Sequence, residues 1–290
     1  VRRVGFSVSG AAAALAFSAL PAYILLSFFQ LPFNVTGLTK MFDWFFGDFN
    51  AMQILILIVS AILIGINKTG VPGLGMLPVI LLAEFFDAKL STGIQLIMLG
   101  LADIFAVTYY RRHANWSIVL RLLPWALVGI GLGSVALRFI SDSAMRPVLG
   151  WTILFMVAFS YVSKYIKNAE KMPHHWAFSA SFGTAAGFTT QVANAAGPVM
   201  AMYLLAMRLG KKEYMGSAAW YFLILNWLKM PIFAFEGRIT GAAIRADLLM
   251  IPFLLIGAVL GIVLLSKIPQ KTFEAIVQVL IVAGAIKLLF

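Results

Sequence analysis

Apolar runs separated by short polar gaps fill the whole of this 290-residue chain. The first, from about residue 5 to 31, follows Arg2 and Arg3 and carries Pro21. Ten more lie near 50–66, 72–86, 91–110, 119–138, 146–163, 177–190, 194–208, 214–235, 247–266 and 272–289. Runs of this length and continuity predict helices that cross a bilayer, not alternating strands. At about 27 residues, with no clear cleavage end, the first run predicts a helix kinked at Pro21 and not a signal peptide.

Two runs begin in helix-breaking sequence. "GINKTGVPGLGMLPVILLA" starts at Gly65 and "GFTTQVANAAGPVMAMYLLA" at Gly187. Gly65 matches Gly187 and Gly75 matches Gly197, both 122 positions apart. Further on, Pro124, Gly129 and Gly133 match Pro252, Gly257 and Gly261 at a separation of 128. Two blocks in the same order predict an internal repeat. Each unit holds one broken hairpin and three spanning helices, an odd number of crossings, so the units are inverted. The expected fold is an all-α polytopic membrane protein with residues 1–49 as an N-terminal helix and external loop, 50–168 as the first inverted repeat and 169–290 as the second. Inverted repeats with matching interruptions are the mark of a secondary transporter whose site lies at the repeat interface.

The breaks admit two geometries. Run 50–66 is roughly 25 Å long as a helix and run 177–190 roughly 21 Å, against about 30 Å of hydrocarbon. Short arms favour re-entrant hairpins whose tips meet inside the membrane; the alternative is a pair of full spans joined by a turn at Lys68. Non-helical backbone at depth needs a protected cavity. There, helix N-termini near 72–76 and 194–198 favour an anion, and small residues allow close approach of backbone. The candidate substrate-binding residues are Asn67, Lys68, Thr69, Gly70, Gly73 and Gly75 from the first break. Thr189, Thr190, Gln191, Asn194 and Gly197 come from the second, with Ala195 and Ala196 beside them. The glycine pairs 129/133 and 257/261 are better explained by tight helix packing.

Composition agrees with a bilayer: 62% of residues are apolar and 11% charged, far from a soluble domain. The net charge of +11 does not form one patch, so it does not predict nucleic-acid binding. With the N-terminus in the cytoplasm, thirteen Lys and Arg fall in inner gaps and six, including Arg146 and Arg238, in outer ones. That is the direction of the positive-inside rule, and it leaves the C-terminus outside. There is no Cys, which removes thiolate chemistry and Cys-ligated metals. His113, His174 and His175 lie in loops, so no metal site or cofactor is expected. No nucleophile–base constellation lies at membrane depth, which argues against an enzyme.

Two ionisable residues lie deep in apolar runs, Lys229 and Asp103, and such residues mark pathways or pair with each other. Lys229 joins Lys68 as a candidate substrate contact. Asp103 is a candidate for coupling to a proton or cation, or for structure, and Asn226 falls at its repeat position, 123 residues on. Two lysines against one carboxylate suit an anionic substrate. Trp220 and Tyr221 are aromatic candidates for the site wall.

The paired breaks, chain size and inverted halves resemble the TauE/SafE (TSUP) family of sulfite exporters over about residues 50 to 290. "GLGM" and "NAAGP" stand here where typical members carry a stronger glycine run. The resemblance implies transport of a small sulfur-containing anion, sulfite or an organosulfonate such as sulfoacetate, across the bacterial inner membrane, as an exporter. An anion channel and a non-transporting scaffold or maturation factor are the rival functions; a homodimer is an open arrangement.

Overall fold

The computed structural model describes residues 44–69, 74–165, 176–207, 209–264, 279 and 281–290. The chain divides into Val1–Asp48, of which 44–48 are described, and Phe49–Phe290. The expected helix at 5–31, Gly70, Gly73, His174 and His175 lie outside the described residues.

All regular structure among the described residues is helical. In order the helices are α1 (Ala51–Thr69), α2 (Met76–Phe85), α3 (Ala88–Tyr110), α4 (Trp116–Arg138), α5 (Asp142–Tyr165), α6 (Trp176–Ala193), α7 (Gly197–Ala206), α8 (Lys211–Phe235), α9 (Gly241–Leu249) and α10 (Ile251–Leu264). A 3-10 turn, Arg111–His113, follows α3, and residues 281–287 are helical. Local chemistry fixes several starts. Asp87 accepts from the N–H groups of Lys89 and Leu90, Asn115 from Ile118 and Thr240 from Ala243, each side chain satisfying first-turn donors.

Among the described residues, α1, α3, α4 and α8 are long and apolar enough to cross a membrane, and the bent pair α9–α10 makes a fifth. The centre is α3. Its most apolar stretch is 78% buried, against 33% in α1, α4 and α8, whose outer faces are left for lipid.

Three expectations change. The single run 247–266 is two helices, bent by 48° at Met250. Pro252 has no N–H to give and its ring crowds the carbonyl four residues back, so α9 stops. Its repeat partner Pro124 sits inside the continuous α4. Next, the arms α1 and α6 reach Thr69 and Ala193, three residues past the apolar runs, because helical hydrogen bonding continues where polarity begins. The short partners are α2 and α7, ten residues each, about 15 Å. Gln53 Nε2, near the start of α1, donates to the Phe85 carbonyl at the end of α2, at 3.0 Å, so this hairpin returns to where it began. Finally, Arg146 and Arg238, counted among the outer-loop charges, are engaged in the fold. Arg146 donates to the carbonyls of Ala83 and Glu84, covering the C-terminal carbonyls of α2.

The packing is reciprocal. Helix α4 lies along α6, and α10 lies along α1. Glycines make both contacts. A Cβ on Gly187 would stand 2.0 Å from the Ala126 carbonyl oxygen, and one on Gly65 would stand 2.3 Å from that of Leu254. From the other side, a Cβ on Gly129 would meet Thr184 O at 2.1 Å, and one on Gly257 would meet Ile62 O at 2.2 Å. Every partner in the first contact has its counterpart in the second at the separations 122 and 128 read from the sequence.

Backbone cannot yield to a side chain at such distances. Gly65→Ala and Gly187→Ala are each expected to destabilise the fold by about 1–3 kcal/mol. Gly131→Ala, whose Cβ would meet nothing within 4 Å, should be neutral or stabilising. Melting temperatures of the three variants in one detergent check this.

Candidate functional site

The site is built where helix hydrogen bonding stops. At the first break, α1 ends with Asn67, Lys68 and Thr69, and Asn67 Oδ1 accepts from the Gly75 N–H at 3.0 Å, serving a donor at the entrance of α2. At the second, Asn194 takes a left-handed turn, φ 51°, a conformation Asn tolerates better than most residues. Its N–H donates to Thr190 O and that of Ala195 to Thr189 O. Pro198 then sits in the first turn of α7, where its missing N–H is no loss.

Helix α3 ties the breaks together. Thr92, Gln95, Leu99, Asp103, Ala106 and Tyr110 recur every three or four residues and so share one face. Near one end of this stripe, Gln95 Nε2 donates to Gly75 O at 3.2 Å, and Asn194 Nδ2 donates to Gln95 Oε1 at 3.1 Å and to Thr92 O at 2.9 Å. Eight residues further on, about 12 Å, Asp103 forms an ion pair with Lys68 through Oδ1. Its Oδ2 accepts from Asn226 Nδ2 at 2.6 Å. Asp103 is fully buried, and the Lys68 side chain is 11% exposed. The Lys68 ammonium also lies 4.7 Å from the centre of the Phe222 ring, a favourable cation–π contact.

A cavity of about 130 Å³ lies between the breaks and the facing stripes of α3 and α8. Of the sequence candidates, Asn67, Lys68, Gly75, Thr190, Asn194, Gly197, Asp103 and Asn226 line it. A Cβ on Gly197 would meet nothing within 4 Å, so the backbone there faces open space. Four candidates are not in its wall. Thr69 Oγ1 donates to Ala258 O and Gly65 O, and Thr189 Oγ1 to Ala185 O. Gln191 Nε2 donates to Ser134 Oγ at 2.8 Å. Lys229, fully buried, donates to Thr190 O, Thr190 Oγ1 and Asn194 Oδ1 at 2.7–2.9 Å. The pairing open to Asp103 is therefore taken by Lys68, while Lys229 braces the second break from behind. Tyr221 is buried in the core and Trp220 bonds the Arg111 carbonyl; their neighbour Phe222 is the aromatic in the wall.

The cavity ends differ. Tyr110 and Tyr214 flank one end, beside Arg111, Arg112 and Lys212. Toward the other, Arg238 closes the packing. It is 2% exposed and donates to Thr92 Oγ1 at 2.6 and 3.0 Å, to Gln191 O at 3.1 Å and to Glu236 Oε2 at 3.1 Å. Its guanidinium lies 3.5 Å from the Phe233 ring centre. Gln191 Nε2 reaches both Ser134 Oγ and Glu236. Thr92, Gln95, Glu236 and Arg238 are absent from the sequence candidates. The spacing of Thr92 and Gln95 from Asp103 was a usable signal; the burial of Arg238, in a short polar loop, had none. Among the described residues no cluster of His, Asp or Glu could hold a metal.

Apolar helices with a charged, water-accessible cavity at two backbone interruptions define a multi-pass membrane protein of transporter type. The family model for "Sulfite exporter TauE/SafE" matches residues 57–288, and the chain belongs to that family of membrane transporters. No curated protein and no solved structure matches it.

The brace predicts a stability phenotype. Lys229→Met removes the ammonium from Thr190 Oγ1 and Asn194 Oδ1 and leaves Thr190 O only the Asn194 N–H; it is expected to lower stability by a few kcal/mol, roughly 1–3 per lost partner at most. Lys229→Arg should restore part of this. Thermal unfolding in detergent measures both.

Proposed function

We propose that the chain is a secondary transporter that exports a small sulfur-containing anion, sulfite or an organosulfonate such as sulfoacetate, across the bacterial inner membrane by alternating access. The observation that carries this is a cavity at the meeting of two broken helices, with Lys68 and Asp103 in its wall. The family supplies the sulfur-anion class.

Alternating access needs two halves that exchange roles. Reciprocal packing of α4 on α6 and α10 on α1 supports two inverted repeats, and so does the bond between Asp103 and its repeat partner Asn226. A further pair agrees. A Cβ on Gly93 would strike the Arg238 carbonyl, and one on Gly216, 123 residues later, would strike Ala114 N. The ten-residue α2 and α7 support re-entrant hairpins, since about 15 Å cannot cross about 30 Å of hydrocarbon. By the positive-inside rule the Tyr110–Tyr214 end, beside Arg111, Arg112 and Lys212, faces the cytoplasm. The buried, fully engaged Arg238 layer beyond Thr92 and Gln191 favours a carrier over a continuous channel.

Lys68→Met alone would strand the buried Asp103, so the test uses the double variant Lys68→Met/Asp103→Asn. In proteoliposomes it is expected to insert normally and to lose at least about tenfold in sulfite counterflow, a loss of roughly 1.4 kcal/mol or more in recognition. Wild-type counterflow would remove Lys68 from the substrate site. Arg238→Ala should raise passive sulfite leak relative to wild type.

A further inference from the structure

Lys68 and Asp103 are the two charged side chains in the cavity wall among the described residues, and they are spent on each other. Asp103 thus occupies the place on Lys68 that an anionic substrate would take. Its second oxygen is held by Asn226, so both carboxylate oxygens are engaged. The charged groups that act on it are Lys68 from α1 and Lys229 from α8. Lys229 is itself held by three neutral acceptors and stays in place when the ion pair opens.

An anion that enters must share or take Lys68. Two negative groups side by side in a buried site repel, and a carboxyl in that position is relieved by taking a proton. Resting on the reading of this cavity as an anion site, we propose that Asp103 is a built-in competitor for the substrate: the anion displaces it from Lys68, and the freed carboxylate takes one proton from the water in the cavity. The step balances. One O–H bond forms on Asp103, and the ammonium of Lys68 exchanges one anionic partner for another. A singly charged anion brings one negative charge and the proton one positive. Lys68, Lys229, Asp103 and the ligand together carry the same net charge before and after. Anion and proton then travel together, and on release Asp103 recloses on Lys68.

Titration calorimetry on the purified full chain tests this, with sulfite and methanesulfonate as probes in buffers of different ionisation enthalpy. The heat reports binding, and its dependence on buffer counts protons. The count is the difference between wild type and Asp103→Asn, so a probe's own titration cancels. The expected difference is about one proton per bound anion. In wild type, methanesulfonate affinity should fall about tenfold per pH unit above the titration of the empty site, since binding and protonation are linked reciprocally. In Asp103→Asn, which frees Lys68, it should be independent of pH and at least as tight as the best wild-type value. A purely structural Asp103 would give weaker binding and no change in slope. Binding with no proton difference and no pH slope overturns the competitor role and leaves the anion site standing. No binding heat with either probe, in protein that melts cooperatively, overturns the anion site and this proposal with it. If Asp103→Asn does not fold, the wild-type methanesulfonate slope decides alone: a flat slope overturns the proposal.

Discussion

A buried helix that stops exposes N–H and C=O groups that must find partners, and the polar architecture of this chain answers that constraint twice. At the first break Asn67 receives the Gly75 N–H; at the second Lys229 covers Thr190 and Asn194. Gln95 bonds to both breaks at once, which is why it sits on the most buried helix. Once backbone is held open in this way, its unfilled side becomes a cavity with few charges, and those few dominate whatever enters.

The glycines and the ion pair have separate duties. Gly65, Gly129, Gly187 and Gly257 bring backbones to within van der Waals reach, so each long hairpin arm is gripped by a helix from the other half of the sequence. That grip is rigid because no flexible side chain lies in it. The Lys68–Asp103 contact is softer: a partly exposed ammonium against a buried carboxylate. The stiff contacts therefore carry the frame, and the soft one is the contact that the proposed anion would displace.

Much of this was legible beforehand. The glycine pairs 129/133 and 257/261 were read as packing surfaces, and Gly129 and Gly257 do meet backbone; the helices they meet could not be read, because spacing along one helix does not name its neighbour. Asp103 and Asn226 stood out as polar residues in apolar runs. The role of Lys229 was harder to read: a lysine facing a ligand and one facing backbone carbonyls look alike until the break is folded. The bend at Met250 was hidden because Pro124, the matched proline, lies in a helix that does not break. Arg238 looked like an ordinary loop charge; its place inside follows from the close packing of Gly93 on its carbonyl and from its bonds to Thr92, Gln191 and Glu236.

A guanidinium locked between Thr92, Gln191, Glu236 and Phe233 does more than join three helices and a loop. A membrane that stores energy as ion gradients is drained by any stray aqueous thread through it. Arg238 and Glu236 fill their layer as an ion pair at 3.1 Å, with further guanidinium donors taken by Thr92 and Gln191, which leaves such a thread few free polar groups to follow there. On the transport reading proposed above, the side chain that completes the packing also serves as insulation for the membrane around it.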